Sequence, residues 1–139
     1  MARIAGWILS ILIAALMIGP SGMSKLLEWE GKEAAFAKLG FTVDVMTKIG
    51  YVEIAIAILF LIPQTAFIGA ILVTAYLGGA TCAHVRIGEP FIPPVVIGVL
   101  VWVALGLRNR QIFALACSCC CPSRTACATP PVDPAAPTA

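Results

Sequence analysis

Charge is what this sequence has least of. Charged residues make up 12% of its 139 residues and hydrophobic ones 60%, with a mean hydropathy of +1.00. Water-soluble domains carry about 25% charged and about 45–50% apolar residues. So few polar groups cannot cover a globule, which excludes a soluble enzyme and implies a membrane protein. Histidine occurs once, at His84, so a multi-histidine metal centre is excluded. The sequence has no Gly-rich phosphate loop, nucleophile elbow, His-Glu-x-x-His or calcium-loop pattern, and with them goes hydrolase or nucleotide-hydrolysing chemistry. Nine basic and seven acidic residues give a formal charge of +2. They are scattered, and no basic block is present to attract nucleic acid. Spans of about 20 residues each leave little chain for an extramembrane catalytic domain, so any site lies within or beside the helices.

Four apolar segments are present. Ile4 to Ser24 is uncharged between Arg3 and Lys25, longer than the roughly 7–15 residues of a signal-peptide core. Its Gly19-Pro20-Ser21-Gly22 exit also lacks a small-residue cleavage site, so it reads as a span over 4–24. Between Lys48 and Arg86 the only formally charged side chain is Glu53. That stretch is too long for one helix and breaks at Pro63-Gln64, which predicts antiparallel spans over 45–62 and 65–83. The fourth, 91–107, has Pro93 and Pro94 in its first turn and Arg108 and Arg110 at its end, positions where proline and arginine fit.

The expected fold is therefore all-α, a four-transmembrane-helix bundle over residues 1–110 with both termini on one side. A short interfacial helix is expected in the first loop, where Leu26, Trp29, Phe36 and Leu39 recur near helical spacing. There Glu28 and Lys32 pair at i,i+4 and Gly40 supplies a stop. A connector packed over the bundle mouth fits the same pattern. Arg3, Arg108, Arg110 and Arg124 flank one side, and Lys25, Lys32, Lys38, Lys48 and Arg86 the other. The near balance leaves orientation open. Residues 111–139 form a separate Cys-rich, then Pro/Ala-rich tail with nothing to build a core, expected to be disordered.

Glu53 is the sharpest single feature, because an ionisable group in an apolar span is costly and faces a partner or the bundle interior. An ion pair with Arg86 or a loop lysine and a proton-handling or ligand-binding carboxylate are both open. The four-span topology brings the junction carrying Cys82, His84, Arg86 and Glu89 to the same end as the start of the second span. Glu53, His84, Arg86 and Glu89 are candidates for one polar pocket, with Tyr51, Tyr76 and Trp102 as walls for a flat ligand such as a quinone. Cys82 is expected to be a small buried residue. Ala66, Ala70, Thr74 and Gly78 make a small-residue stripe suited to close helix packing. Cys117, Cys119, Cys120, Cys121 and Cys127 crowd the tail. They contain one Cys-x-x-Cys but no second spaced pair or adjacent histidine, so they are weak metal candidates. No haem, flavin or iron–sulfur site is evident.

From Tyr76-Leu77-Gly78-Gly79 through Cys82-Ala83-His84-Val85-Arg86-Ile87-Gly88-Glu89-Pro90 and on to Leu107-Arg108-Asn109-Arg110, the sequence resembles the DoxX-like membrane proteins. Ser21-Gly22-Met23-Ser24-Lys25-Leu26 is similar to the family's small-residue-Gly-x-x-Lys-Leu exit from the first span, and Gly50-Tyr51-Val52-Glu53 to its Gly-x-x-Glu opening of the second. The resemblance covers about Ile4 to Arg110. It implies four membrane helices with cytoplasmic termini in a bacterial inner membrane, and places Glu53, His84 and Arg86 on the family's polar positions. Relatives in the wider group include a small subunit of a thiosulfate:quinone oxidoreductase and membrane parts of oxidative-stress complexes. That implies a subunit or anchor of a redox system, such as a quinone-linked one, not a complete enzyme, with a redox protein or a second copy of the chain as partner. A non-catalytic assembly factor or a lipid or small-molecule binding protein is the alternative.

Overall fold

The computed structural model describes residues 1–109, so the five tail cysteines lie outside the described residues. Five helices and no strand are found among the described residues: α1 (Ala2–Leu26), α2 (Lys32–Leu39), α3 (Val43–Leu61), α4 (Ala66–Arg86) and α5 (Ile92–Arg108). α1 and α4 are each long and apolar enough to cross a membrane. α5 is equally apolar over 17 residues, and the 19 residues of α3 carry Asp44, Lys48 and Glu53.

Local chemistry explains the boundaries. α1 changes to π-helical geometry over Met17–Met23, with Pro20 inside that stretch. Proline has no N–H to donate and crowds the carbonyl one turn back, and widening the helix by one residue relieves both. α3 begins where the Thr42 hydroxyl accepts from the Val45 amide at 3.4 Å, with Asp44 in the first turn, where a negative charge suits the helix dipole. α5 opens on prolines at positions that need no amide donor. α2 ends at Gly40, whose φ of 82° lets the Gly40 and Phe41 amides turn back onto Ala37 and Phe36 carbonyls at 2.9 and 3.0 Å.

The loop helix is thus shorter than the hydrophobic spacing suggested. Leu26 belongs to the end of α1, and Gly31, with φ 87°, separates Trp29 from α2. The third long helix continues past Ala83 to Arg86, which puts His84 and Arg86 on helical turns instead of in a loop.

The long helices run alternately up and down. Gly6 near the start of α1 lies against Leu107 and Arg108 at the end of α5, so Ala2 and Asn109 share one end. The core of Ile13, Met17, Ile56, Phe60, Val73, Leu77, Val101 and Leu105 draws on all four long helices. The outside is also apolar: Ile8, Ile11, Val52, Ile58, Ile68, Ile71, Val99 and Val103 are exposed. A water-soluble monomer rarely shows so continuous an apolar coat, whereas lipid is a matching solvent for it.

Half of the small-residue stripe on α4 is used inside the bundle. Ala66 and Ala70 are buried, and a Cβ on Gly69 would sit 2.5 Å from the Phe60 N and Cα atoms. Gly78 and Gly79 instead face open space. Cys82 follows them on the uncovered face and is exposed, contrary to the expectation that it is buried, because among the described residues no helix packs over that side of α4. The Gly69→Ala variant is expected to lose about 1–3 kcal/mol, the usual cost of overpacking a tight contact against rigid backbone, read from thermal unfolding in detergent. Gly78→Ala is the matched control and is expected to leave stability unchanged.

Candidate functional site

Glu53 sits roughly 15 Å along α3 from its start at Val43, at about 1.5 Å per residue. It is 1% exposed and its carboxylate accepts from the Lys25 ammonium at 2.8 Å. The same ammonium donates to the Ser21 carbonyl at 2.9 Å and the Ser21 hydroxyl at 3.0 Å. The Tyr76 hydroxyl interacts with both the Glu53 carboxylate and Ser21. Lys25 and Ser21 of α1 and Glu53 of α3 are therefore joined by hydrogen bonds inside an otherwise apolar bundle, with the Tyr76 hydroxyl of α4 beside them.

Two glycines make this contact feasible. A Cβ on Gly50 would come within 3.0 Å of the Lys25 Cβ, and one on Gly22 within 2.9 Å of the Met17 carbonyl and 3.0 Å of Ile54. Gly22 and Lys25 on α1 thus meet Gly50 and Glu53 on α3 as one matched unit, with a glycine three residues before each charged group. The π-helical stretch holds the Ser21 carbonyl where Lys25 can reach it, since Pro20 and the wider turn disturb the ordinary backbone ladder there.

Lys25, Ser21, Glu53 and Tyr76 line a cavity of about 550 Å³, within the range of small-molecule sites. Most of the remaining wall is apolar: Met17, Met46, Leu77 and Ile97 from the bundle, with Phe36 and Leu39 of α2 and Phe41 covering the cavity from the first loop. His84 also lines it, from the last turn of α4. A mainly apolar chamber with an ammonium, a carboxylate and a phenol on one wall suits a hydrophobic molecule with a polar, hydrogen-bonding head.

The other candidates are placed differently. Tyr51 is 63% exposed, on the outer side of α3. Trp102 packs edge-on against Phe67 with centroids 6.1 Å apart and donates to the Thr74 hydroxyl at 3.0 Å, so neither residue is a cavity wall. Arg86 does not meet Glu53; it is exposed and donates to the Leu39 carbonyl at 2.7 Å, satisfying the end of α2. Glu89 takes the Lys38 ammonium at 2.7 Å on one oxygen and approaches His84 Nδ1 at 3.3 Å with the other. The expected junction cluster thus divides in two: His84 reaches the cavity and Glu89, while Arg86 and Glu89 fasten α2 across the cavity mouth. Among the described residues, no group of three His, Cys, Asp or Glu side chains comes together to hold a metal.

Lys25 and Ser21 were not singled out as site residues. Lys25 looked like the flanking charge that closes a span, and the signal that it is more lies in the parallel Gly-x-x-Lys and Gly-x-x-Glu spacings of the two helices.

Those two motifs fall inside the segment, residues 8–104, over which the sequence model of the DoxX-like family matches, more than two thirds of the chain. The chain belongs to the DoxX-like family. Comparisons with curated proteins and with solved structures return no match. Membership, the apolar coat and the long apolar helices together make this DoxX-like chain a membrane protein in contact with lipid. The match includes Ser21, Lys25, Glu53 and Tyr76.

Two predictions follow from the geometry of this DoxX-like site. Removing one partner of a buried ion pair strands the other, so Lys25→Met or Glu53→Leu alone is expected to cost about 3–5 kcal/mol, and the two together distinctly less. A double-mutant cycle from thermal unfolding measures the coupling. At the mouth, the Lys38 hydrogen bond, supported by Lys38 charge and by His84, holds the Glu89 carboxyl below its ordinary value of 4.5. A depressed carboxyl contributes its stability above the ordinary value and loses it as pH falls through the depressed one. The contact of α2 with the α4–α5 loop is therefore expected to be intact at neutral pH and to loosen in acid. Hydrogen exchange over Lys32–Leu39, corrected for intrinsic rates, should rise below about pH 4.5, and Lys38→Ala should produce the same rise at neutral pH.

Proposed function

We propose that the protein crosses a bacterial inner membrane four times, through α1, α3, α4 and α5, with cytoplasmic termini, and serves as a membrane subunit or anchor of a redox system. In this role the cavity beneath α2 holds a quinone-type molecule with its head toward Tyr76, Glu53 and Lys25. The observation that carries the proposal is that cavity, apolar over most of its wall and furnished with a buried ammonium–carboxylate–phenol group on one side.

The four-span count is supported by the lengths of the helices and by the fate of the one charge deep in α3. Pairing Glu53 with Lys25 inside the bundle removes the largest obstacle to placing α3 in lipid. The 17 residues of α5 reach about 25 Å at 1.5 Å per residue, close to the hydrocarbon thickness. α2 carries Lys38 and Glu33 outward, and the neighbouring Trp29 donates to the Ser24 carbonyl at 3.0 Å, in keeping with a helix lying at the interface. Orientation and redox association rest on the resemblance to DoxX-like proteins. A quinone carbonyl accepts hydrogen bonds and its ring and tail are apolar, which matches a phenol and an ammonium set in this wall.

A second function, as a non-catalytic assembly factor or lipid carrier, draws on the uncovered α4 face at Gly78 and Gly79, where nothing lies within 4 Å of an added Cβ. Small residues there permit close approach of another helix.

One experiment separates the two. Protein extracted gently from its own membrane is examined by native mass spectrometry, with lipid and quinone extraction on the same sample. Bound quinone is expected, and Tyr76→Phe, which removes only a hydroxyl, is expected to lower its occupancy about fivefold for a hydrogen bond worth about 1 kcal/mol. Protein carrying only phospholipid or a client helix, with no quinone and no oxidoreductase partner, would overturn the redox proposal and favour the second.

A further inference from the structure

We propose that the end of the bundle where α1 begins and α5 ends holds a second site, built on Arg108 and Arg3, that binds a phosphate-bearing anion. This end lies opposite the cavity beneath α2 and shares no residue with it.

Arg108 is only 9% exposed yet carries a full positive charge. Its guanidinium donates to the Ser10 hydroxyl at 3.3 Å and to the Phe60 and Leu61 carbonyls at 3.0 and 3.1 Å. The indole of Trp7 lies under it, 4.0 Å from the ring centroid. All of these partners are neutral. They orient the side chain and satisfy the last carbonyls of α3, but none cancels its charge. Three acceptors also leave two of the five guanidinium N–H groups for another ligand.

Among the described residues, carboxylates do not fill the gap. Glu28, Glu30, Glu33, Asp44 and Glu89 occupy the first loop, α2, the start of α3 and the α4–α5 loop, and Glu53 is held by Lys25. Among the described residues no acidic side chain reaches Arg108. A buried cation without a counter-anion at the edge of a low-dielectric layer draws one from its surroundings.

Space for it is present. A cavity of about 930 Å³ opens at this end, lined by Arg3 and Arg108 together with Gln64, Trp7 and Phe67. Two arginines and two amides, Gln64 and Asn109, share the lining with apolar side chains, and the lining contains no acid. Arginine binds phosphate through paired N–H groups with a geometry a single ammonium cannot match. Trp7, partly exposed beside them, is the kind of side chain that settles at headgroup depth. An anionic phospholipid headgroup and a soluble phosphate compound present the same chemistry, and the experiment distinguishes them.

Full-length protein is placed in nanodiscs of mixed phosphatidylcholine and phosphatidylglycerol and released for native mass spectrometry, and in parallel titrated with inorganic phosphate in detergent. Retention of phosphatidylglycerol over phosphatidylcholine is expected. Arg3→Gln, at an exposed position, is expected to reduce that enrichment about fivefold, as loss of one basic residue near a lipid surface implies. Arg108→Lys keeps the charge without the fork and is expected to reduce it as well; should that variant fail to fold, Arg3→Gln carries the test. Enrichment that inorganic phosphate does not displace makes the ligand a lipid headgroup, whereas a phosphate adduct that is lost in Arg3→Gln makes it a soluble phosphate at the same site. Equal retention of both lipids with no phosphate adduct, or enrichment unchanged in both variants, would overturn the proposal.

Discussion

The contact between the Lys25 ammonium and the Glu53 carboxylate is the constraint on which much of the bundle depends. Neither charge is tolerable alone in an apolar interior, so α1 and α3 must meet at one register and one distance. The side chains have room to pair because Gly22 and Gly50 remove the methyl groups that would hold the helices apart. The Pro20-bearing π-helical stretch then leaves the Ser21 carbonyl within reach of the same ammonium. Sequence features that look unrelated, a proline inside a helix, two glycines, a lysine and a glutamate, answer one electrostatic requirement.

That requirement also shapes the cavity. With Glu53 held by Lys25, Tyr76 of α4 can turn its hydroxyl inward to the same carboxylate, so one wall of the chamber is polar and the rest is lined by methyls and rings. A buried ion pair of this kind is weak evidence for stability, because removing both charges from water offsets their attraction.

The two ends of the bundle differ in how firmly they are held. α2 is fastened over the cavity by Lys38–Glu89 and Arg86–Leu39 contacts at exposed positions, and exposed ion pairs contribute only about 0–1 kcal/mol each. Gly31 and Gly40, both in the left-handed region, bracket the helix. Cover and latch are therefore the parts of the molecule that open most readily. At the other end Arg108 is inserted between Ser10, Trp7 and the end of α3, tying three helices together with a charge that the described acidic residues leave unmatched.

Much of this was legible in the residues themselves. Low charge and long apolar runs require lipid, and the Pro63-Gln64 break and Pro93-Pro94 start place helix ends, because proline acts on its own backbone whatever surrounds it. The Glu28–Lys32 pair, only four residues apart, is likewise local, and the structure has it at 3.0 Å. Glu53 stood out for the same reason: a charge in an apolar run is conspicuous before any partner is known. Its partner was legible only as a class, Arg86 or a loop lysine, and not as Lys25 in particular. Lys25 lies 28 residues away, and whether it flanks a span or turns inward depends on how α1 and α3 pack. Tyr51 and Tyr76 are indistinguishable as residue types near the site, yet helix rotation sends one outward and the other to Glu53. Periodicity and composition determine which segments become helices; which face of each helix turns inward, and which charges meet there, is decided only when close packing selects a single arrangement.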